Sequence, residues 1–185
     1  TSDKQVMGAL SSNAAESQRM GAPWMITEFV ENGADAFKHL MELLRKAGIN
    51  FSIIGEIIIE VDEKNFEVRI IDNGTGILDP IWVIRNPFQS AKAGVDYLIG
   101  NYGRGLTGFR GFTEDLIYIT LRDKVSDSET KSGMKIGKCV KVSFGKDPVG
   151  KYAAIDEKEF KKYTNNKTGT IAILKNWKKG QWDQL

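Results

Sequence analysis

One cysteine and one histidine occur in the 185 residues. An internal disulfide is therefore excluded, and so is any metal site built from cysteines. Cys139 lies in the alternating run Cys139-Val140-Lys141-Val142 and reads as a packed strand residue. The chain also lacks a signal-peptide pattern and any apolar run of membrane length, so the expectation is a cytoplasmic protein with no membrane partner. Charge bias is missing too. The 26 basic and 24 acidic residues leave a formal charge of +2, which gives no reason to expect nucleic acid as the main ligand. No strand is followed at once by GxxxxGK[ST], which excludes a P-loop. Internal repeats and low-complexity segments are absent.

What remains is the composition of a soluble globular domain, 41% apolar and 27% charged, long enough to bury a core. Lys158, Lys161, Lys162, Lys167, Lys175, Lys178 and Lys179 crowd the last quarter, but Glu157 and Glu159 interleave with them, as on a solvated face.

Residues 1–20 are small and polar, with a weak helical stripe from Val6 to Arg19. Gly21-Ala22-Pro23 breaks the chain, and Pro23 suits the first turn of a long helix running to about Lys46, where Gly48 and Asn50 stop it. Ile53–Asp62 and Phe66–Ile71 read as an antiparallel hairpin around Asp62-Glu63-Lys64-Asn65. Asp79 caps a short helix that starts at Pro80 and ends at Arg85. Further strands are expected at Leu116–Arg122, Ile136–Phe144, Tyr152–Ile155 and Gly169–Leu174, with a short helix at Glu157–Tyr163. Asn86–Tyr102 reads as loop, and 123–135 as a polar hairpin end. The sum is an α+β two-layer sandwich, a mixed and mostly antiparallel sheet with helices on one face.

Three stretches carry chemistry. On the long helix, Glu28, Asn32 and Asp35 are spaced by four and three and share one face, with Phe29, Val30, Phe37, Leu40, Met41 and Leu44 expected opposite. A carboxylate, an amide and a second carboxylate on one stripe supply oxygen ligands for a hard cation and a base to orient water. Asp72-x-Gly74-x-Gly76 follows a strand. It reads either as a plain turn or as a carboxylate facing a planar base, with glycines that let the backbone come close. Gly100-Asn-Tyr-Gly103-Arg-Gly105 opens a glycine-rich loop of the kind that cradles phosphates, followed by Leu106, Phe109 and Phe112 at helical spacing. Gly169-Thr170, starting the last strand, is weak by itself.

In order and spacing, Glu28-x-x-x-Asn32-x-x-Asp35-Ala36, Asp72-x-Gly74-x-Gly76, Gly100-x-x-Gly103-x-Gly105 and Gly169-Thr170 resemble the GHKL ATPase superfamily of DNA gyrase, large heat-shock chaperones, sensor histidine kinases and MutL proteins. The match covers about residues 22–176, and the glycine loop and GTIAIL look most like the chaperone and Morc-type branches. Ser90-x-Lys92 is similar to the serine-lysine element of Morc and MutL lids. The resemblance implies a Bergerat fold that binds ATP with Mg²⁺. It makes Glu28 the general base, Asn32 the Mg²⁺ ligand, and Asp35 with Ala36 their support. Asp72 would accept the adenine amino group, assisted by Thr170, with Gly74, Gly76 and Ile77 lining the base. Gly100, Tyr102, Gly103, Gly105 and Leu106 would surround the phosphates under an Asn86–Tyr102 lid. Ser90 counts with the nucleotide-binding residues through that lid element, and Lys92 and Arg104 stand either as phosphate partners or as solvated lid residues.

The resemblance also implies ATP-dependent homodimerisation of a longer clamp, with residues 1–21 as a strap or extension and 177–185 opening a linker to a further C-terminal region. The protein or DNA client is left open. Hydrolysing members commonly use a lysine from a second domain, so a module that senses nucleotide without hydrolysing it is one alternative. A histidine protein kinase domain is another, opposed by Glu28 and by the lack of any phosphate-accepting histidine beyond His39, itself read as structural.

Overall fold

A computed structural model describes residues 3–50, 52–86, 107–122, 136–147 and 149–185. Helix α1 (Asp3–Met20) and helix α2 (Ala22–Lys46) are separated only by Gly21, whose φ of 89° turns the chain between them. The buried stripe of α2 is Ala22, Met25, Phe29, Gly33, Leu40, Leu43 and Leu44, spaced by threes and fours except across residues 34–39. At about 100° per residue, Glu28, Asn32 and Asp35 fall beside this stripe rather than opposite it. The expected opposition is corrected accordingly: the polar stripe borders the core. Asp35 is itself buried.

Strands β1 (Ile57–Asp62) and β2 (Glu67–Asp72) form the expected antiparallel hairpin, with Ile59 opposite Ile70. β1 starts at Ile57 instead of Ile53, because the Asn73 side chain takes over the neighbouring backbone. Its amide donates to Ile54 O at 2.8 Å and its carbonyl accepts from Glu56 N at 2.9 Å. Helix α3 (Pro80–Arg85) is capped by Asp79, which accepts from Trp82 N. A 3₁₀ turn (Phe109–Gly111) leads into β3 (Thr113–Leu121), followed by β4 (Cys139–Phe144), β5 (Lys151–Ala154), helix α4 (Glu157–Lys161) and β6 (Gly169–Trp177).

Among the described residues, six strands make one open sheet in the order β1-β2-β6-β3-β4-β5. All of its pairings are antiparallel, so the expected mixed sheet is corrected to an antiparallel one. The last strand lies in the middle.

Alternation along the strands sorts two apolar faces. Val68, Ile70, Leu116, Tyr118, Val140, Val142, Ala172 and Leu174 meet Met25 and Phe29 of α2, Ile84 of α3, and Phe109 and Phe112. Ile71, Ile119, Leu121, Cys139, Ile171 and Ile173 face the other way and are covered by Phe160 of α4. Helices therefore occupy both faces, contrary to the one-face expectation. A six-stranded sheet this apolar on its second side needs a cover, since each fully buried Ile, Leu or Phe contributes roughly 1.5–3 kcal/mol.

α1 folds back on this same chain. Gln18 Nε2 donates to Gly111 O at 2.6 Å, and a β-carbon on Gly111 would lie 2.6 Å from Ala14 O. At the other end, Trp182 packs edge-on against Trp177 and Phe66. Among the described residues no helix is long and apolar enough to cross a membrane.

Candidate functional site

Three neighbouring strands carry a polar residue at one level of the sheet. Asp72 ends β2, Thr170 sits near the start of β6, and Thr120 lies on β3 directly opposite Thr170. All three are buried, on the face that α2 covers. The same parity that sends Ile70, Ala172 and Tyr118 into the core sends these three toward the helix.

Asp72 is tightly held. Its Oδ1 accepts from Gly74 N at 2.9 Å and from Thr170 N at 3.2 Å. Its backbone carbonyl accepts from Asn166 Nδ2 at 3.3 Å. A β-carbon on Gly169, whose φ is 141°, would collide with that same Asp72 carbonyl, so the start of β6 requires glycine. Thr168 Oγ1 donates to Gly74 O at 2.7 Å and anchors the turn from below.

The turn after Asp72 docks on the middle of α2. A β-carbon on Gly74 would come within 2.6 Å of the Ala36 carbonyl carbon, and Thr75 N donates to Ala36 O at 3.3 Å. A β-carbon on Gly33 would lie 3.0 Å from the β-carbon of Asp72. Two glycines thus let helix and strand end approach more closely than side chains permit. Gly76 has a φ of 75° and rests on Thr120 Oγ1 and Leu121 O, and Ile77 N donates to Thr120 Oγ1 at 2.7 Å.

Of the residues expected from sequence, Ala36, Asp72, Gly74, Gly76, Ile77 and Thr170 gather around this junction. Asn32 and Asp35 flank Gly33 on the helix, and Glu28 is five residues earlier, about 7 Å along the axis. Asn32 is exposed, Glu28 half-buried, and Asp35 buried with the Lys38 ammonium 3.8 Å from its Oδ1. Ser90, Lys92, Gly100, Tyr102, Gly103, Arg104, Gly105 and Leu106 lie outside the described residues.

Gly33, Thr120 and Thr168 were not legible as site residues. Gly33 carries a signal, because a glycine inside a strong helical pattern usually has a packing reason. Thr120 becomes visible only once β3 is registered against β6.

Among the described residues, no cluster of three or more His, Cys, Asp or Glu side chains could hold a metal ion. Mg²⁺ keeps several waters and takes one or two protein oxygens together with substrate phosphates. The exposed Asn32 carboxamide is a hard oxygen donor of that sort.

A concavity of about 520 Å³ lies elsewhere, on the β1–β2 hairpin, lined by Glu60, Val61, Asp62, Glu63, Lys64 and Arg69. Two of its carboxylates are engaged by Arg69, at 3.6 Å from Glu60 and 3.0 Å from Asp62, in a surface ion-pair network. Compared with protein-family models and with curated proteins, the chain matches none.

Proposed function

We propose that this chain is an ATP-binding domain of the GHKL type, with a Bergerat fold, that hydrolyses ATP with Mg²⁺. The observation that carries the reading is the junction of Asp72 with Gly33. A buried carboxylate, fixed by two amide donors, sits at a strand end directly under the helix that bears Glu28, Asn32 and Asp35.

Each group has a task it can do. Asp72 is an acceptor for an exocyclic amino group, and the glycines beside it leave room for a flat ring. Asn32 would hold Mg²⁺, which when bound neutralises phosphate charge and fixes its geometry. Asp35, buried beside Lys38, keeps the helix face polar and ordered. Glu28 orients a water and accepts its proton as the water oxygen bonds to the terminal phosphorus and the bond from that phosphorus to the bridging oxygen breaks, releasing ADP and phosphate. Phosphoryl transfer asks for little more than such positioning and charge stabilisation. In a longer protein, ATP would drive pairing of two copies into a clamp.

Calorimetry with ATP and ADP, with and without Mg²⁺, on the parent chain and on Asp72→Asn tests the reading. Binding by the parent that the substitution abolishes is expected. Equal binding by both would remove Asp72 from the site, and no binding by the parent would end the nucleotide reading.

A further inference from the structure

We infer that the outer edge of β1 is a docking site for an extended partner segment that alternates apolar with basic residues and joins the sheet as a further strand. The inference does not depend on the nucleotide reading. β1 ends the strand order and pairs with β2, so its other rim of backbone N–H and C=O groups faces no strand among the described residues. Its six residues pair one-to-one with β2 without a bulge, and none of them is proline or lysine. Bulges, prolines, lysines and short length are the devices that keep a sheet edge from pairing. The opposite edge uses two of them, since β5 is four residues long and opens with Lys151. One edge of the sheet is guarded and the other is open.

The open edge is apolar where it meets solvent. Ile58, Ile59 and Val61 keep 37, 49 and 51% of their surface exposed, and Ile54, just before the strand, keeps 85%. Alternation puts Ile57, Ile59 and Val61 on one face, opposite Asp72, Ile70 and Val68, and Ile58, Glu60 and Asp62 on the other. A strand laid along this rim gains a main-chain ladder for affinity and alternate side-chain contacts for specificity. Its residues beside Ile57, Ile59 and Val61 would be apolar. Those beside Glu60 and Asp62 would be basic.

Charge decides the occupant. Between Ser52 and Phe66 the acidic residues are Glu56, Glu60, Asp62 and Glu63, against Lys64 as the one basic residue. A second copy is therefore disfavoured. Antiparallel self-pairing centred on Glu60 sets that residue against its own twin, and self-pairing centred on Ile59 sets Glu56 against Asp62. Like charges directly opposite destabilise a sheet. Arg69 does not remove the excess, because it is shared by Glu60, Asp62 and Glu67 at 3.6, 3.0 and 2.9 Å. The Glu60 side chain remains 43% exposed, and the concavity it lines with Asp62 and Glu63 leaves space for a lysine or arginine.

The probe is a capped peptide alternating valine with lysine, compared with one alternating valine with glutamate. Each is titrated into the whole chain, with amide hydrogen exchange followed by NMR. The parent is expected to bind the lysine peptide and not the glutamate peptide, and to show slowed exchange at every second amide of β1, those that face outward. Glu60→Gln should weaken the lysine peptide by up to about fivefold, the scale of one cross-strand charge pair. Ile59→Lys should abolish binding, and Val61→Lys stands in if that variant does not fold. No binding by the parent, equal binding of both peptides, binding without the alternating protection, or binding that survives the lysine substitution would each overturn the inference. Alternating protection in the parent alone that grows with protein concentration would overturn it too, by making the occupant a second copy.

Discussion

Gly33 of α2 and Asp72 of β2 meet so closely that a β-carbon on the glycine would stand 3.0 Å from that of the aspartate. Neither partner can retreat easily. Asp72 is pinned by the amides of Gly74 and Thr170, and the helix is pinned by Phe29 and Leu40 in the core. Replacing Gly33 by alanine gains roughly 1 kcal/mol of helix propensity, which offsets part of the crowding. Gly33→Ala should therefore leave urea stability within about 1 kcal/mol of the parent while weakening ATP binding. A binding constant unchanged by this substitution would show that the close approach has no part in the site.

Gly74→Ala differs in kind, because its β-carbon would meet α2 backbone at 2.6 Å as well as the Ala36 β-carbon at the same distance. Overpacking of this sort costs about 1–3 kcal/mol. Urea denaturation should place Gly74→Ala in that range, clearly below Gly33→Ala. Equal stability of the two variants would contradict the docking of the turn on Ala36.

Glu28→Ala tests the chemistry apart from binding. A positioned general base contributes ~10²–10⁴-fold in rate. Phosphate release should fall on that scale in whatever form of the protein hydrolyses ATP, while calorimetric affinity persists. Hydrolysis at the parent rate would take the role of base away from Glu28.

The helix around Glu28, the hairpin and the capping by Asp79 were legible because each depends on local periodicity or on a side chain bonding its own neighbourhood. The strand start at Ile57 was not, since Asn73 draws the preceding backbone out of the ladder from 17 and 19 positions away. Thr120 was invisible for a related reason. Its partners Ile77 and Thr170 lie 43 and 50 positions off, and only strand register brings them together. The cover of the second face by Phe160 likewise depends on sheet order, which no local pattern encodes.

The stability of the hairpin should depend on acid. Burial opposes ionisation of Glu67, but hydrogen bonds from Lys175 and Arg69, at 2.5 and 2.9 Å, outweigh it and hold the carboxyl below its ordinary value. A depressed folded-state pKa means stabilisation that is full above the unfolded value of ~4.3 and lost as pH falls through the folded one. The stability gap between the parent and Glu67→Gln should accordingly be constant from neutral pH down to about pH 5 and shrink below it. A gap that widened on acidification would refute the assignment.

Gln184 holds the start of α2. Gln184 Oε1 accepts from Ala22 N at 3.0 Å, across 162 positions, and satisfies an amide that the first turn of α2 leaves without a partner in the helix. Gln184→Ala should cost about 1 kcal/mol, as loss of a cap does. A thermal scan should register this as a fall in Tm of about 2–4 °C. No change in Tm would mean that water replaces the carboxamide at no cost.

The central position of β6 has a consequence for how the chain is made. Until residues 169–177 leave the ribosome, β2 and β3 have no common neighbour, and the sheet exists as two separate pieces with open inner edges. Those edges carry Val68, Ile70, Ile71, Leu116 and Ile119, all buried in the finished sheet, and unpaired edges of this kind are where chains associate wrongly. A nascent chain stalled before Gly169 would thus be no shortened version of this domain. It would be a pair of unjoined half-sheets awaiting capture by a chaperone, and folding would be timed by the arrival of one late strand.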